Sequence, residues 1–186
     1  MRSAQNLKEL PNSRNHNCFG CSPVNPSGLQ MRFFTDGSAV YSRVKVPEHL
    51  CGWSNIVHGG VLTTILDEVM SWSAITLLKR IALTRGIAVE FIKPVQVGGE
   101  LKAEGRVRET GGKNDAVTEG VLYDASGEPC ARASARSRQA APAGRSGRRK
   151  PPEPGATNAC SSSSPPYFLS PRSATTSSIM APATLS

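Results

Sequence analysis

The sequence predicts an α+β fold in which one long apolar helix is wrapped by a curved antiparallel sheet of about six strands. Three observations carry that expectation: a single apolar stretch with helical spacing between residues 58 and 79, two β-rich runs before it, and four more after it. Large apolar residues almost vanish after Gln139, so the chain divides into a flexible N-terminal segment (1–17), a globular domain (18–138) and a tail (139–186).

The elements follow in order. CFGCSPVNPSGL (18–29) is dense in Pro and Gly and reads as a succession of turns. LQMRFF (29–34) and AVYSRVKV (39–46) are strand-like and flank an Asp36-Gly37 turn, which predicts a hairpin. From His58 to about Lys79, apolar residues return at Val61, Leu62, Ile65, Leu66, Val69 and Trp72, the three-four spacing of a helix. Met70, Ile75, Leu77 and Leu78 fill other faces, so the helix is expected to be central and covered all round. Asp67 and Glu68 interrupt the apolar stretch near its middle, which argues for a buried soluble helix and against a membrane span.

Four strand-like runs come next. Residues 81–95 are rich in β-formers, and ELKAEGRVRE (100–109) alternates Leu101, Ala103, Gly105 and Val107 with charged residues. AVTEGVLYD (116–124) and PCARASARSR (129–138) complete a set expected to run as a meander. The tail is Pro-, Ser-, Gly- and Arg-rich without an apolar period and is expected to be disordered.

The formal charge of +8 divides evenly: residues 1–138 carry 17 Lys/Arg against 13 Asp/Glu, and residues 139–186 carry 5 against 1. No basic stripe interleaved with aromatics marks the globular part, which argues against nucleic acid as a partner, while a mild positive charge suits an anionic small molecule. The opening MRSAQNLKELPNSRN lacks the apolar run of a secretory signal, and the five cysteines are expected to be free thiols in a reducing, cytoplasmic setting. His16, Cys18, Cys21 and Cys51 offer a single Cys-x-x-Cys without a second pair; the expectation is a turn with packed thiols and no metal.

The chemistry concentrates in NIVHGGVLTTILDE (55–68). Gly59 and Gly60 permit close backbone approach at the helix entrance, where unpaired N–H groups sit at the positive end of the helix dipole. A thioester carbonyl against the Gly60 N–H would be polarised, and more strongly as charge grows on its oxygen. Asp67 lies two turns further along nearly the same face but roughly 10 Å away along the axis, too far for one helix to serve one carbon with both groups. Two copies of the helix running antiparallel across a dimer remove the conflict and predict a shared active site.

Asp67 can attack directly or take a proton from water. Glu68 points about 100° away and reads as a supporting acid. His58 is read as a positioning residue more than a base, and Asn55 as a donor to a substrate carbonyl or a cap of its turn.

HGGVLTTILDE, with His58, Gly59, Gly60 and Asp67 at this spacing, resembles the PaaI-like acyl-CoA thioesterases of the hotdog-fold superfamily. The resemblance extends over residues 18–138, including CFGCSPVNPSGL and the FIKPV run at 91–95. It implies a hydrolase that splits acyl-CoA into free acid and CoA, needs no cofactor beyond the CoA of its substrate, and assembles as a homodimer, with a homotetramer as a dimer of dimers. It also implies that Thr84 stands near the catalytic water and that Lys93 approaches the nucleotide end of CoA, against the alternative of an ordinary exposed strand lysine. Where some relatives carry an Asn six residues before the histidine, this chain has Gly52. Two rivals remain: a hotdog hydratase or dehydratase, and a non-catalytic acyl-CoA-binding protein.

Overall fold

The computed structural model of the chain describes residues 7–79, 81–111 and 115–139. Seven strands and one long helix follow one another as β1 (Lys8–Glu9), β2 (Arg32–Thr35), β3 (Val40–Lys45), α1 (Gly59–Leu78), β4 (Ala82–Phe91), β5 (Glu100–Gly111), β6 (Asp115–Tyr123) and β7 (Pro129–Gln139). All strands join one antiparallel sheet in the order β1-β2-β3-β5-β6-β7-β4. This is the expected α+β arrangement of a curved sheet against one helix.

The sheet departs from the sequence reading twice. A seventh strand, β1, lies within the segment read as flexible, where Lys8 pairs with Thr35 and Glu9 with Phe34. A two-residue strand has no periodicity to read, and only its partner defines it. The last four strands are also not a meander throughout: β5, β6 and β7 are, but β4 crosses over to the far edge and pairs with β7, setting Val89 opposite Ala133. The expected disorder of residues 139–186 lies outside the described residues, apart from Gln139, which ends β7.

Local chemistry explains the connections. In the β2–β3 turn, Gly37 adopts φ 89°, a left-handed conformation that costs little without a Cβ. Asp36 accepts hydrogen bonds from the Ser38 and Ala39 N–H groups at 2.8 and 2.9 Å. The 18–29 segment is closed on itself by Leu29 N–H to Phe19 O and tied to the residue before β2 by Met31 N–H to Gly20 O.

Helix α1 is long and apolar enough, by length and composition, to cross a membrane, but it lies packed against the sheet. Val61, Leu62, Ile65, Leu66, Val69 and Met70 are buried in the core, each contributing about 1.5–3 kcal/mol. Trp72 stacks on Phe33 with ring centroids 4.5 Å apart. The expectation that the helix is covered on every face is not met within one chain. Thr63, Asp67, Ser71 and Ile75 remain half-buried, because a single sheet reaches around one side only.

The closest approach of helix and sheet is made at glycines. A Cβ on Gly105 would stand 2.4 Å from the Val69 carbonyl oxygen, and one on Gly120 would stand 3.0 Å from the Met70 side chain. At Gly105 the obstacle is backbone, so nothing flexible can yield. Gly105→Ala is therefore expected to destabilise the fold by about 1–3 kcal/mol or more. A urea unfolding curve measures this, and a midpoint equal to that of the native chain would refute the close approach.

Candidate active site

Residues 51–58 deliver the helix entrance. Ser54 and Asn55 take left-handed conformations (φ 45° and 69°), and the loop is fastened by Gly52 N–H to Ile56 O, Val57 N–H to Val95 O and Val97 N–H to Asn55 O. Asn55 is exposed, and its backbone carbonyl accepts the Val97 N–H.

The fastening presents His58 as the residue that caps α1. Its Nδ1 accepts the Gly60 N–H at 3.0 Å, so the neutral ring carries its proton on Nε2 in this arrangement. The N–H expected to polarise a carbonyl is thus engaged by the imidazole. A substrate oxygen reaches it only when the exposed ring turns aside. A side chain would crowd this entrance, since a Cβ on Gly60 would lie 3.0 Å from His58 Nδ1 and one on Gly59 would lie 3.3 Å from the Phe91 ring, and the exposed neighbour would have to shift in either case.

Asp67 is held two turns into the helix. The Thr84 hydroxyl, on β4, donates to Asp67 Oδ1 at 2.7 Å, and the Ser71 hydroxyl lies 3.4 Å from Thr84 Oγ1. Thr84 sits at the register shift of the β4–β7 pair between Thr84 and Gly86. A carboxylate has about four acceptor positions. One donor fixes its orientation and leaves capacity for a water or an acyl carbon.

Glu68 turns the other way, as its spacing predicts, and accepts a hydrogen bond from the Cys18 thiol at 3.2 Å. Burial, reinforced by the hydrogen bond and charge of Glu68, pushes the neighbouring Cys21 thiol up from its ordinary range. Lys93 lies just beyond β4, where its ammonium pairs with Asp124 at 2.7 Å. The hydrogen bond with Asp124 holds Lys93 above its ordinary value, and the same bond, with others from Ser126 and the Glu128 N–H, holds Asp124 well below the carboxylate range. A phosphate recruited by Lys93 would have to compete with that carboxylate.

The residues singled out by sequence therefore fall into separate groups. His58, Gly59 and Gly60 sit together at the entrance; Asp67 and Thr84 sit together two turns on; Lys93 sits in an ion pair. Ser71 and Phe91 escaped the sequence reading. Ser71 was within reach of it, being four residues after Asp67 on the same helix face. Phe91 carried no local signal, because its place over Gly59 depends on β4 crossing to the far edge.

A family model described as the Thioesterase superfamily matches residues 54–131. Solved structures share the fold. PaaI of E. coli, from the phenylacetic acid degradation operon, aligns with 18% identity and a TM-score of 0.56, over 61% of this chain and 81% of its own. AziG of S. sahachiroi aligns with 24% identity and a TM-score of 0.54, over 59% of this chain and 90% of its own. The protein smu.793 of Streptococcus mutans UA159, solved bound to acetyl CoA, aligns with 15% identity and a TM-score of 0.54, over 75% of this chain and 93% of its own. No curated protein matches the sequence. The matched segment runs from the loop before α1 to the start of β7, and the architecture that the chain shares with these solved structures is the hotdog fold.

Proposed function

We propose that the protein hydrolyses acyl-CoA thioesters, with Asp67 as nucleophile or general base and the Gly60 N–H as oxyanion donor. The observation that carries this reading is the half-buried Asp67 carboxylate, oriented through one oxygen by Thr84 on a strip of α1 that the chain's own sheet covers only in part. Attack by Asp67 would form an acyl anhydride and release CoA as its thiolate; acting as base, Asp67 would take the proton of an attacking water. Either route needs a donor at the carbonyl oxygen. The Gly60 N–H supplies it when the acyl oxygen replaces His58 Nδ1 as its acceptor.

The substrate class draws support from the acetyl CoA bound by smu.793 and from the positive charge of this chain. No further cofactor is needed, and a reducing cytoplasmic compartment suits the free thiols. Two copies would meet with their α1 helices antiparallel, setting Asp67 of one opposite the helix entrance of the other. The open outer edge of β4 supports such pairing: it lies at the end of the sheet and carries Leu83 and Phe91, 66% and 53% exposed. A tetramer would be a dimer of such dimers.

Asp67→Asn is expected to lower CoA release by about 10²–10⁴-fold while acyl-CoA binding persists. Unchanged turnover would remove Asp67 from the chemistry. Binding without any turnover by the native chain would make it an acyl-CoA-binding protein, and double-bond absorbance without thiol release would make it a hydratase.

The shared site is tested by mixing Asp67→Asn with Gly60→Pro, which removes the N–H donor in the first helical turn, once circular dichroism shows that each variant folds. Random reassociation gives hybrids with one intact site in two, so about a quarter of native turnover should return. No recovery from verified hybrids would place both groups in one subunit. His58→Ala removes the cap and should cost about 1 kcal/mol in thermal or urea unfolding. An unaltered midpoint would show that the ring does not hold the helix entrance.

A further inference from the structure

The sharpest unexplained cluster lies about 100° around α1 from Asp67, at the neighbouring Glu68. The sulfur atoms of Cys18 and Cys21 and a carboxylate oxygen of Glu68 all lie within 4.8 Å of one another. Cys18 donates its thiol proton to Glu68 Oε1 at 3.2 Å across fifty residues of sequence. Three acidic groups thus converge at a site where, among the described residues, no Lys or Arg forms an ion pair with Glu68.

The backbone is shaped to admit them. A Cβ on Gly20 would stand 2.4 Å from Glu68 Oε1 and 2.6 Å from its Cγ, so only a glycine between the two cysteines lets the carboxylate enter the loop. The loop is fixed from its other side as well. Ser22 is buried and donates its hydroxyl to His16 O at 2.7 Å, and Ser22 N–H bonds Cys18 O. His16 is committed to Asn12 and the Cys18 N–H, and Cys51 is exposed in a bridge with Val57. The donor that joins the Cys-x-x-Cys pair is therefore Glu68, which no reading of cysteine and histidine spacing would select.

We infer that Cys18, Cys21 and Glu68 bind a thiophilic divalent cation, zinc being the fitting ion, and so clamp the 18–29 loop to α1. Zinc takes thiolate sulfur at about 2.3 Å and carboxylate oxygen at about 2.0–2.2 Å in tetrahedral geometry. Those bonds set ligand atoms roughly 3.5–3.8 Å apart, a contraction of about 1 Å from the outer limit seen here. Two thiolates favour a soft ion over magnesium or calcium. Binding expels two thiol protons, with the buried Cys21 thiol the harder to ionise, and leaves the fourth position to water. The cation would brace the helix at the residue next to Asp67 without entering the reaction, and it stands whether or not the proposed hydrolysis does.

The test uses the full chain, purified with a phosphine reductant and no chelator. Metal analysis should find one zinc per chain, and cobalt(II) added after chelation should give a near-ultraviolet thiolate charge-transfer band. Cys18→Ser and Cys21→Ser should each abolish the band, Glu68→Gln should weaken cobalt affinity at least about tenfold, and Cys51→Ser and Cys160→Ser should leave the band intact. On the native chain, zinc should protect Cys18 and Cys21 from alkylation, a readout that stands even where a serine variant fails to fold. No stoichiometric zinc and no cobalt band from the native chain would overturn the proposal. So would a band indifferent to Cys18→Ser and Cys21→Ser, or alkylation of both cysteines at an unchanged rate with zinc present.

Discussion

The constraint on which the rest of the structure depends is the crossing of α1 over β5 and β6. Interior packing tolerates neither gap nor overlap of even a methyl group, so the distance between helix axis and sheet is set by the smallest residues at the crossing. Gly105 brings the β5 backbone against the Val69 carbonyl, and Gly120 admits Met70 and Leu66. With the helix that low, Ile65, Leu66 and Val69 are sealed from water, and the following strand can reach Asp67 with a side chain as short as threonine. A helix riding higher would leave Thr84 out of reach of the carboxylate it orients.

From that seating the two adjacent acids acquire different surroundings. A step of about 100° between consecutive helical residues sends Asp67 toward β4 and Glu68 toward the 18–29 loop. Asp67 meets hydroxyls, which can orient it without neutralising it; Glu68 meets two thiols, accepting a hydrogen bond from Cys18 and opposing the ionisation of Cys21. A carboxylate left half-buried with a single hydroxyl partner costs desolvation that a fully paired one would not. In this fold that cost falls on the strip of α1 that β4 covers only in part, where a substrate or a second subunit would supply the missing contacts.

What was legible in the sequence was whatever a period or a turn residue records locally. The spacing of Val61, Leu62, Ile65, Leu66 and Val69 gave the helix, the alternation around Leu101 and Ala131 gave two strands with the correct faces inward, and Asp36-Gly37 gave the hairpin. Sheet order was not legible, because β4 pairs with β7, a strand distant in sequence, and no residue within β4 records that partner. The site was legible in part for the same reason. His58 and the two glycines announce a helix entrance, and Asp67 an acid along it. That the imidazole occupies the Gly60 N–H, that Phe91 covers Gly59, and that Glu68 completes the Cys18–Cys21 pair are contacts between segments distant in sequence.

The separation along α1 shapes the chemistry more than any one residue does. Seven residues of helix put the backbone of Gly60 and Asp67 roughly 10 Å apart along the axis, about three times the reach of a hydrogen bond, and a helix cannot bend sharply enough to close that gap without a proline or bulge. Residues 59–78 run as one unbroken helix. A rigid rod that carries a donor at one end and an acid in its middle can place both on one acyl carbon only by meeting another rod. Under the proposed hydrolysis, the half-buried strip of Thr63, Asp67 and Ser71 and the open edge of β4 are the surfaces a second copy would have to cover.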